Sequence, residues 1–559
     1  MGKIKLWKSG QMNRLSFYLS VFVFACCNGT TYAQKVEKSS LFEGTGYPSW
    51  YASSPNQLYA LNNVIQKKYD YPEYPSSNAT LNKQNNFGTE KNYGAFIQTG
   101  LVSTTDGLVP FWMRSLQYGS IPYDGFSGYV LAGAHKNYNK TRKQLLDWGA
   151  SFEGRFNAKD SKNEFLLIEG YLKGRISMFE VKGGRFKEFM GLVDSTLSSG
   201  AFSISGNALG IPKVEIGFPE YWDIPFTDKV LAIKWNLSHG WFGEYQYHYY
   251  GMVNAYYHQK SLYGRLGKPN WKVKLYGGMN HQVMWGGEDE VYAGRGWNLS
   301  NWETFKYVFW GKPYGEGGVP TSKIGNHLGS IDQAITYDIK DLLFSFYHQF
   351  YYEAGALAKL ANTKDGLWGF SIQNKSAESG RIFRWNKILF EFMYSKSQGG
   401  EPDSKPRPSG FEDYYNNSYY IVGWVYEGEN MGTPFLTQDK YVRDELPNPK
   451  SSYQNFSNNR VRLFHLGSEF SLARVNIKAL LSYSQNFGNY TTSPAARGRG
   501  TQIKYYPPPY FGQQNQISGY LEAYKKIKNG FELGFKFAFD SGDLLYNATG
   551  CEINLTKRW

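Results

Sequence analysis

The residues able to do chemistry crowd into the middle of this chain. Asn326, His327, Ser330 and Asp332 sit in the run 325–332, Gln349 and Glu353 in 347–353, and Asp365 just ahead of Gly366 and Trp368. Tyr414, Tyr415, Asn416 and Asn417 follow Glu412 and Asp413, and Trp424 comes shortly after. Amides and carboxylates bind sugar hydroxyls in pairs, and flat rings stack on the C–H faces of pyranoses, so this mixture suits carbohydrate binding. The same types are also what a β-barrel uses for its aromatic girdles and its turns. A second chemistry is hydrolysis, with His327 as base beside Ser330 and Asp332, since barrel enzymes assemble such groups from separate strands. No Gly-x-Ser-x-Gly elbow, His-Glu-x-x-His, phosphate-binding glycine loop or paired-cysteine metal spacing occurs, so neither a metal nor an organic cofactor is expected. The eight histidines, at 135, 239, 248, 258, 281, 327, 348 and 465, lack ligand spacing.

The elements that must position these residues read as strands. Phe531, Leu533, Phe535, Phe537 and Phe539 alternate with Glu532, Gly534, Lys536, Ala538 and Asp540, a period of two over a length that spans a bilayer as a tilted strand. The pattern recurs in Leu231, Ile233, Trp235 and Leu237, in Trp271, Val273 and Leu275, in Val475, Ile477, Ala479, Leu481 and Tyr483, and in Leu342, Phe344, Phe346 and Phe350. Aromatic residues make up 18% of the chain, whereas the hydrophobic total is a modest 41%. Mean hydropathy is −0.51, far from that of a helical membrane protein. An all-β transmembrane antiparallel barrel with short helices and long extracellular loops is expected, of roughly 16 to 20 strands for this length. The wet faces place Lys234, Lys272, Lys274, Arg474, Lys478 and Lys536 toward the lumen. Two helices are predicted, at 56–68, where Leu58, Leu61, Val64 and Ile65 share a face, and at 140–148 ahead of a strand around Phe152.

The one concentrated apolar run, 15–27, follows Lys3, Lys5, Lys8 and Arg14 and precedes Thr31-Tyr32-Ala33-Gln34. That is a secretory signal cleaved between Ala33 and Gln34, with translation starting at Met1 or Met12; lipoprotein processing at Cys26 or Cys27 is the alternative. Residues 34–91 then read as a periplasmic or plug segment, and 92–559 as the barrel. Removing the signal takes the formal charge from +14 to +10 and leaves Cys551 as the one cysteine, so no intramolecular disulfide is expected. The basic balance would concentrate an acidic polysaccharide; alternatively, lumen bases pair with acids across strands and rim bases meet lipid phosphates. Nucleic acid is not an expected partner of an exported barrel.

Order and spacing add a resemblance. The central motifs are preceded by Phe111-Trp112, Gln117-Tyr118-Gly119, 203–207 with Ile211-Pro212-Lys213, His258-Gln259-Lys260, and His281 with Trp285-Gly286-Gly287. Together, from about Phe111 to Trp559, they resemble the capsule assembly Wzi family. The resemblance implies a barrel of roughly 18 strands with helices that help occlude the lumen. It also implies a non-catalytic lectin of the outer membrane of a Gram-negative bacterium, tethering capsular or surface polysaccharide. Candidate ligand-binding residues on that reading are Trp112, Gln117, Tyr118, His281, Trp285, Asn326, His327, Asp332, Gln349, Glu353, Asp365, Trp368, Tyr414, Tyr415, Asn416, Asn417 and Trp424. Ala354 departs from the family's pattern, in which an acid stands there. A porin for sugars or other solutes, and a barrel hydrolase, are the other function classes. A barrel of this size is expected to be a monomer, although nothing in the sequence excludes a trimer.

The chain stops on an amphipathic strand ending Ile553, Leu555, Lys557, Trp559. Such an end is expected to face outer-membrane lipid and to engage the barrel-assembly machinery, with Lys557 snorkelling and Cys551 on the same outer face. Trp559→Ser should therefore lower the fraction of chain reaching the membrane as a heat-modifiable barrel on gels; normal assembly of the variant would contradict the role given to this residue.

Overall fold

A computed structural model describes residues 92–559 except 106, 140–144, 160–161, 248–250, 320–321, 354–361, 377–381, 400–411, 448–454 and 498–502. The expected signal segment, the region 34–91 with the helix expected at 56–68, and Ala354 lie outside the described residues. Eighteen strands form one ring. They are β1 (Tyr93–Thr104), β2 (Ser127–Lys136), β3 (Leu146–Lys159), β4 (Lys162–Ile176), β5 (Phe179–Arg185), β6 (Lys213–Asp223), β7 (Leu231–Tyr247), β8 (Gly251–Leu266) and β9 (Val273–Trp285). The ring continues with β10 (Asn326–Ile339), β11 (Leu342–Glu353), β12 (Gly366–Asn374), β13 (Phe383–Tyr394), β14 (Val461–Leu472), β15 (Val475–Asn486), β16 (Gln514–Lys526), β17 (Phe531–Gly542) and β18 (Ala548–Arg558). Each strand pairs antiparallel with the next, and β18 pairs with β1 from Phe96↔Arg558 to Thr104↔Gly550. The backbone N–H of Trp559 adds a bond of 3.0 Å to the Ala95 carbonyl. With no open edge, every strand can sit in hydrocarbon.

Period-two alternation sets the two faces. Ile97, Leu101, Phe346, Phe370, Phe390, Leu481, Phe535 and Ile553 are exposed on the outside, while Lys274, Asn280, Ser330, Asp332, Glu391 and Glu552 are buried inside. Outward Phe531, Leu533, Phe535 and Phe537 stand opposite Lys557, Leu555, Ile553 and Cys551. The ammonium of Lys557 meets the Asn529 carbonyl in the turn and lies 4.7 Å from the Phe531 ring centroid. Such a wall, apolar outside and polar inside, is that of a transmembrane barrel.

Some local expectations need correction. The helix expected at 140–148 gives way to strand from Leu146, because Trp148, Phe152 and Phe156 continue an outward apolar face; 140–144 lie outside the described residues. Lys272 and Arg474 are exposed in the turns before β9 and β15 rather than lumen-facing, since those strands start one residue later, and Trp271 shares the turn with Lys272. Lys234, Lys274, Lys478 and Lys536 keep the inward parity. Some inward bases are paired locally: Lys536 lies 3.1 Å from Glu552, Lys387 2.7 Å from Asp194 and Arg265 2.6 Å from Asp223.

Connections at the end where β18 stops are short, as at 177–178, 340–341 and 473–474. The opposite end carries 105–126, 186–212, 286–325, 395–460 and 487–513. Several of these fold inward. The segment 186–212 is latched to four strands: Leu192 N–H donates to Asp332 (2.9 Å), Phe202 N–H to Gln349 (2.8 Å), and Ser198 and Ser199 to the Glu391 carboxylate (2.6 to 2.7 Å). His465 Nε2 lies 2.7 Å from the Leu197 carbonyl. Helix α1 (Phe111–Arg114) docks the 105–126 segment, with Phe111 N–H donating to Asp540 at 2.7 Å. Phe202 stacks on Tyr351 at 4.2 Å and meets Tyr414 and Tyr415, so an apolar core fills the lumen at this level. Gly432 permits this approach, because a Cβ there would lie 2.0 Å from the Tyr415 hydroxyl.

Glu391→Leu strips the acceptors from Ser198, Ser199 and Tyr347. Charge-assisted bonds each contribute about 1.5–3 kcal/mol, so the 186–212 segment should detach while the ring persists. Bilayer recordings are expected to show raised conductance relative to the unsubstituted protein; an unchanged trace would mean the latch does not depend on this carboxylate.

Candidate functional site

A cavity of about 520 Å³ opens among the long connections, above the latched segment. Three stretches line it. The β9–β10 connection brings Glu288 and Tyr292 from helix α2 (Glu288–Tyr292), then Trp297, Tyr314 and Lys323. Strand ends supply Tyr247, Asn326, His327 and Glu353, and the segment 412–420 supplies Glu412, Asp413, Asn416, Asn417, Tyr419 and Tyr420.

The aromatic part is a fixed cluster. Trp297 sits edge-on to Tyr314 at 5.0 Å and parallel to Tyr292 at 6.1 Å, while Tyr247 contacts Tyr419 and Tyr420 at 5.7 and 5.1 Å. The segment 412–420 is shaped by its own amides: Asn417 accepts from the N–H groups of Tyr419 (2.9 Å) and Tyr420 (3.1 Å), an Asx-type turn. Asn416 accepts from Phe456 N–H and donates to the Phe456 carbonyl and to Asp413. Glu353 accepts from Tyr415 N–H at 3.2 Å. The Glu288 carboxylate takes Gly286 N–H and the Tyr420 hydroxyl, each at 2.9 Å, and burial pushes its pKa above the usual carboxylate value. Asn326 is only 3% exposed, and its side-chain Nδ2 has no protein partner. A buried, unmatched donor beside an opening is a group that a ligand acceptor would satisfy.

Of the residues singled out in the sequence, Asn326, His327, Glu353, Asn416 and Asn417 meet at this cavity. Asp332, Gln349, Tyr414, Tyr415, Trp424 and Trp112 lie deeper. Asp332 and Gln349 hold the latch, Trp424 Nε1 donates to the Ser203 carbonyl at 2.8 Å, and Trp112 Nε1 donates to Ser482 at 3.2 Å. Asp365 accepts from Ser397 N–H and the Tyr414 hydroxyl, with its pKa pushed up to about 6 by burial. Gln117 and Tyr118 form a turn whose Tyr118 N–H reaches the Gly206 carbonyl at 2.8 Å. His281, Trp285 and Trp368 have outward parity, Trp368 stacked on His348. His327 and Asp332 point to opposite faces of β10, so they do not form a dyad; the His327 ring lies instead 3.0 Å from His281 Nε2 and 2.8 Å from the Ile324 carbonyl. Sequence reading missed Trp297, Tyr314, Tyr419, Tyr420 and Glu288 as site residues. The available signal was the aromatic density of 292–314, a stretch that alternation alone leaves unassigned.

No protein-family model matches the chain, and comparison with curated proteins finds no match. Solved structures give distant likenesses. The Escherichia coli outer-membrane protein Wzi, described as a carbohydrate-binding β-barrel involved in group 1 capsule assembly, aligns at 12% identity and a TM-score of 0.48, covering 82% of this chain and 83% of that one. The Pseudomonas aeruginosa outer-membrane protein OprD aligns at 8% identity and a TM-score of 0.41, covering 85% and 95%. OccD3 (OpdP) of the same species aligns at 8% and 0.38, covering 85% and 92%.

The raised Glu288 pKa means the folded chain binds that proton more tightly than the unfolded chain, so the associated stability is present below about pH 4.5 and is lost as pH rises through the raised value. Glu288→Gln should flatten the rise in protease sensitivity of the 286–325 segment between acid and neutral pH, measured by limited digestion; an unchanged profile would place the titrating group elsewhere.

Proposed function

We propose that this protein is a non-catalytic carbohydrate-binding barrel of the outer membrane of a Gram-negative bacterium, which holds capsular or surface polysaccharide at the cell surface. The observation that carries the reading is the cavity at the long-loop end, where fixed Trp and Tyr rings stand beside amides, carboxylates and the unmatched Asn326 donor. Rings offer faces to pyranose C–H groups, and Asn326 Nδ2 offers a donor to a hydroxyl or ring oxygen. The filled lumen beneath supports a binding protein over a porin, because Phe202, Tyr351, Tyr414 and Tyr415 occupy the path a solute would take. Opposite parity of His327 and Asp332 weighs against the hydrolase alternative.

The cavity also changes the expected ligand. Glu412 and Asp413 stand beside Lys323 there, with Glu288 and Glu353 buried, so the lining holds no excess of base to draw an acidic polymer and a hydroxyl-rich, uncharged stretch is preferred. Monomeric action, contact with outer-membrane lipid and insertion by the barrel-assembly machinery through β18 belong to the same reading.

Purified protein screened against capsule from its own strain and against unrelated glycans should bind the former with little salt dependence. Trp297→Ala is expected to weaken binding about tenfold, which is about 1.4 kcal/mol, whereas Trp368→Ala on the outer face should leave it unchanged. Equal binding by both variants, or full capsule retention by a deletion strain, would overturn the proposal.

A further inference from the structure

A group of polar side chains faces the wrong way for a barrel wall. His239 on β7, His258 and Lys260 on β8, His281 on β9 and His327 on β10 share the outward parity of Leu231, Leu266, Val273 and Ile335, all of which are exposed. His281 lies eight residues beyond Val273, roughly 27 Å along the strand. At a tilt of about 40° that is about 20 Å of height, near the top of an apolar band about 25 Å tall.

Helix α3 (Asn301–Trp310), from the β9–β10 connection, covers this patch from outside the wall. Its Phe305 ring lies 5.4 Å from His258 and 5.9 Å from both His239 and Trp285, and Phe309 lies 5.3 Å from His258. The Lys260 ammonium donates to the Phe309 carbonyl. The helix is well defined at both ends, by a Ser300/Glu303 capping box and by Gly311 at φ 60°. Its exposed face, opposite the buried Thr304 and Val308, runs Trp302, Lys306, Trp310 at helical spacing, and the two tryptophans are 66% and 61% exposed. Beside it on the wall, outward Trp241 and Met252 are also exposed.

We propose that α3 is an interfacial helix, lying at the acyl–headgroup boundary of the outer leaflet with Trp302 and Trp310 in contact with lipid. Three observations converge: the height of the patch, the continuity of the exposed tryptophans with the lipid-facing wall, and the stripe itself. Two indole rings flanking a lysine match the boundary, where an apolar body and a polar tip are both satisfied. The helix thereby converts an outward polar patch into a lipid-compatible surface.

The test uses nitroxide labels on the full chain with Cys26, Cys27 and Cys551 replaced by serine, in phosphatidylcholine–phosphatidylglycerol vesicles. Labels at Trp302→Cys, Trp310→Cys, Lys306→Cys and, as an exposed loop reference, Glu316→Cys are compared for collision with oxygen and with a water-soluble nickel chelate, after heat-modifiable migration confirms folding. Positions 302 and 310 should show an oxygen-to-nickel ratio several-fold above that of 316, with 306 between. Ratios equal to that of 316 at all three helix positions would overturn the proposal. Brominated-lipid quenching gives an independent reading without cysteines: a Trp302→Phe, Trp310→Phe double variant should lose quenchable fluorescence, and no loss would likewise refute lipid contact.

Discussion

Side-chain parity governs this molecule. Within each regular run of the ring, one residue faces lipid and the next faces the lumen, and the backbone is saturated only when all strands pair. A shift of one residue in β10 would send Asp332 into the bilayer and Ile331 into the latch. The polar inner face created by this rule then requires partners, because buried carboxylates and amides without hydrogen bonds are costly. The inward connections answer that requirement: Asp332, Gln349, Glu391 and His465 each bond to 186–212. At this level the chain's own loops occupy the lumen, and the cavity lies above them.

Much of the wall was legible in the sequence, since alternation such as Phe531 to Phe539 is local and needs no tertiary information. Its failures are informative. Trp271, Lys272 and Arg474 fit an alternating pattern, yet they sit in turns, because periodicity does not say where a strand bends away from the ring. The predicted helix at 140–148 failed over the residues that belong to β3, where Trp148 joins an outward apolar face.

The site was less legible, for a physical reason. Residue type pointed to 325–434 as a region rich in amides and rings, but type does not distinguish a group that binds a ligand from one that binds the chain. Trp424 and Trp112 spend their indole N–H groups on Ser203 and Ser482, whereas the Asn326 amide donor is left unmatched. Only the fold separates those cases. Parity sets His281, Trp285 and Trp368 apart from the lumen although they share composition with site residues, while His327, of the same outward parity, still borders the cavity.

The seam between β1 and β18 has a kinetic consequence. Every other neighbour in the ring is also the next strand in sequence, joined by two-residue turns such as 340–341 at one end and by connections as long as 395–460 at the other. The seam joins residues such as Phe96 and Arg558, and the entropy of closing a loop of that length is about 5 kcal/mol. The seam is therefore the pairing of greatest sequence separation, and while it is unformed the first and last strands present open edges to other chains.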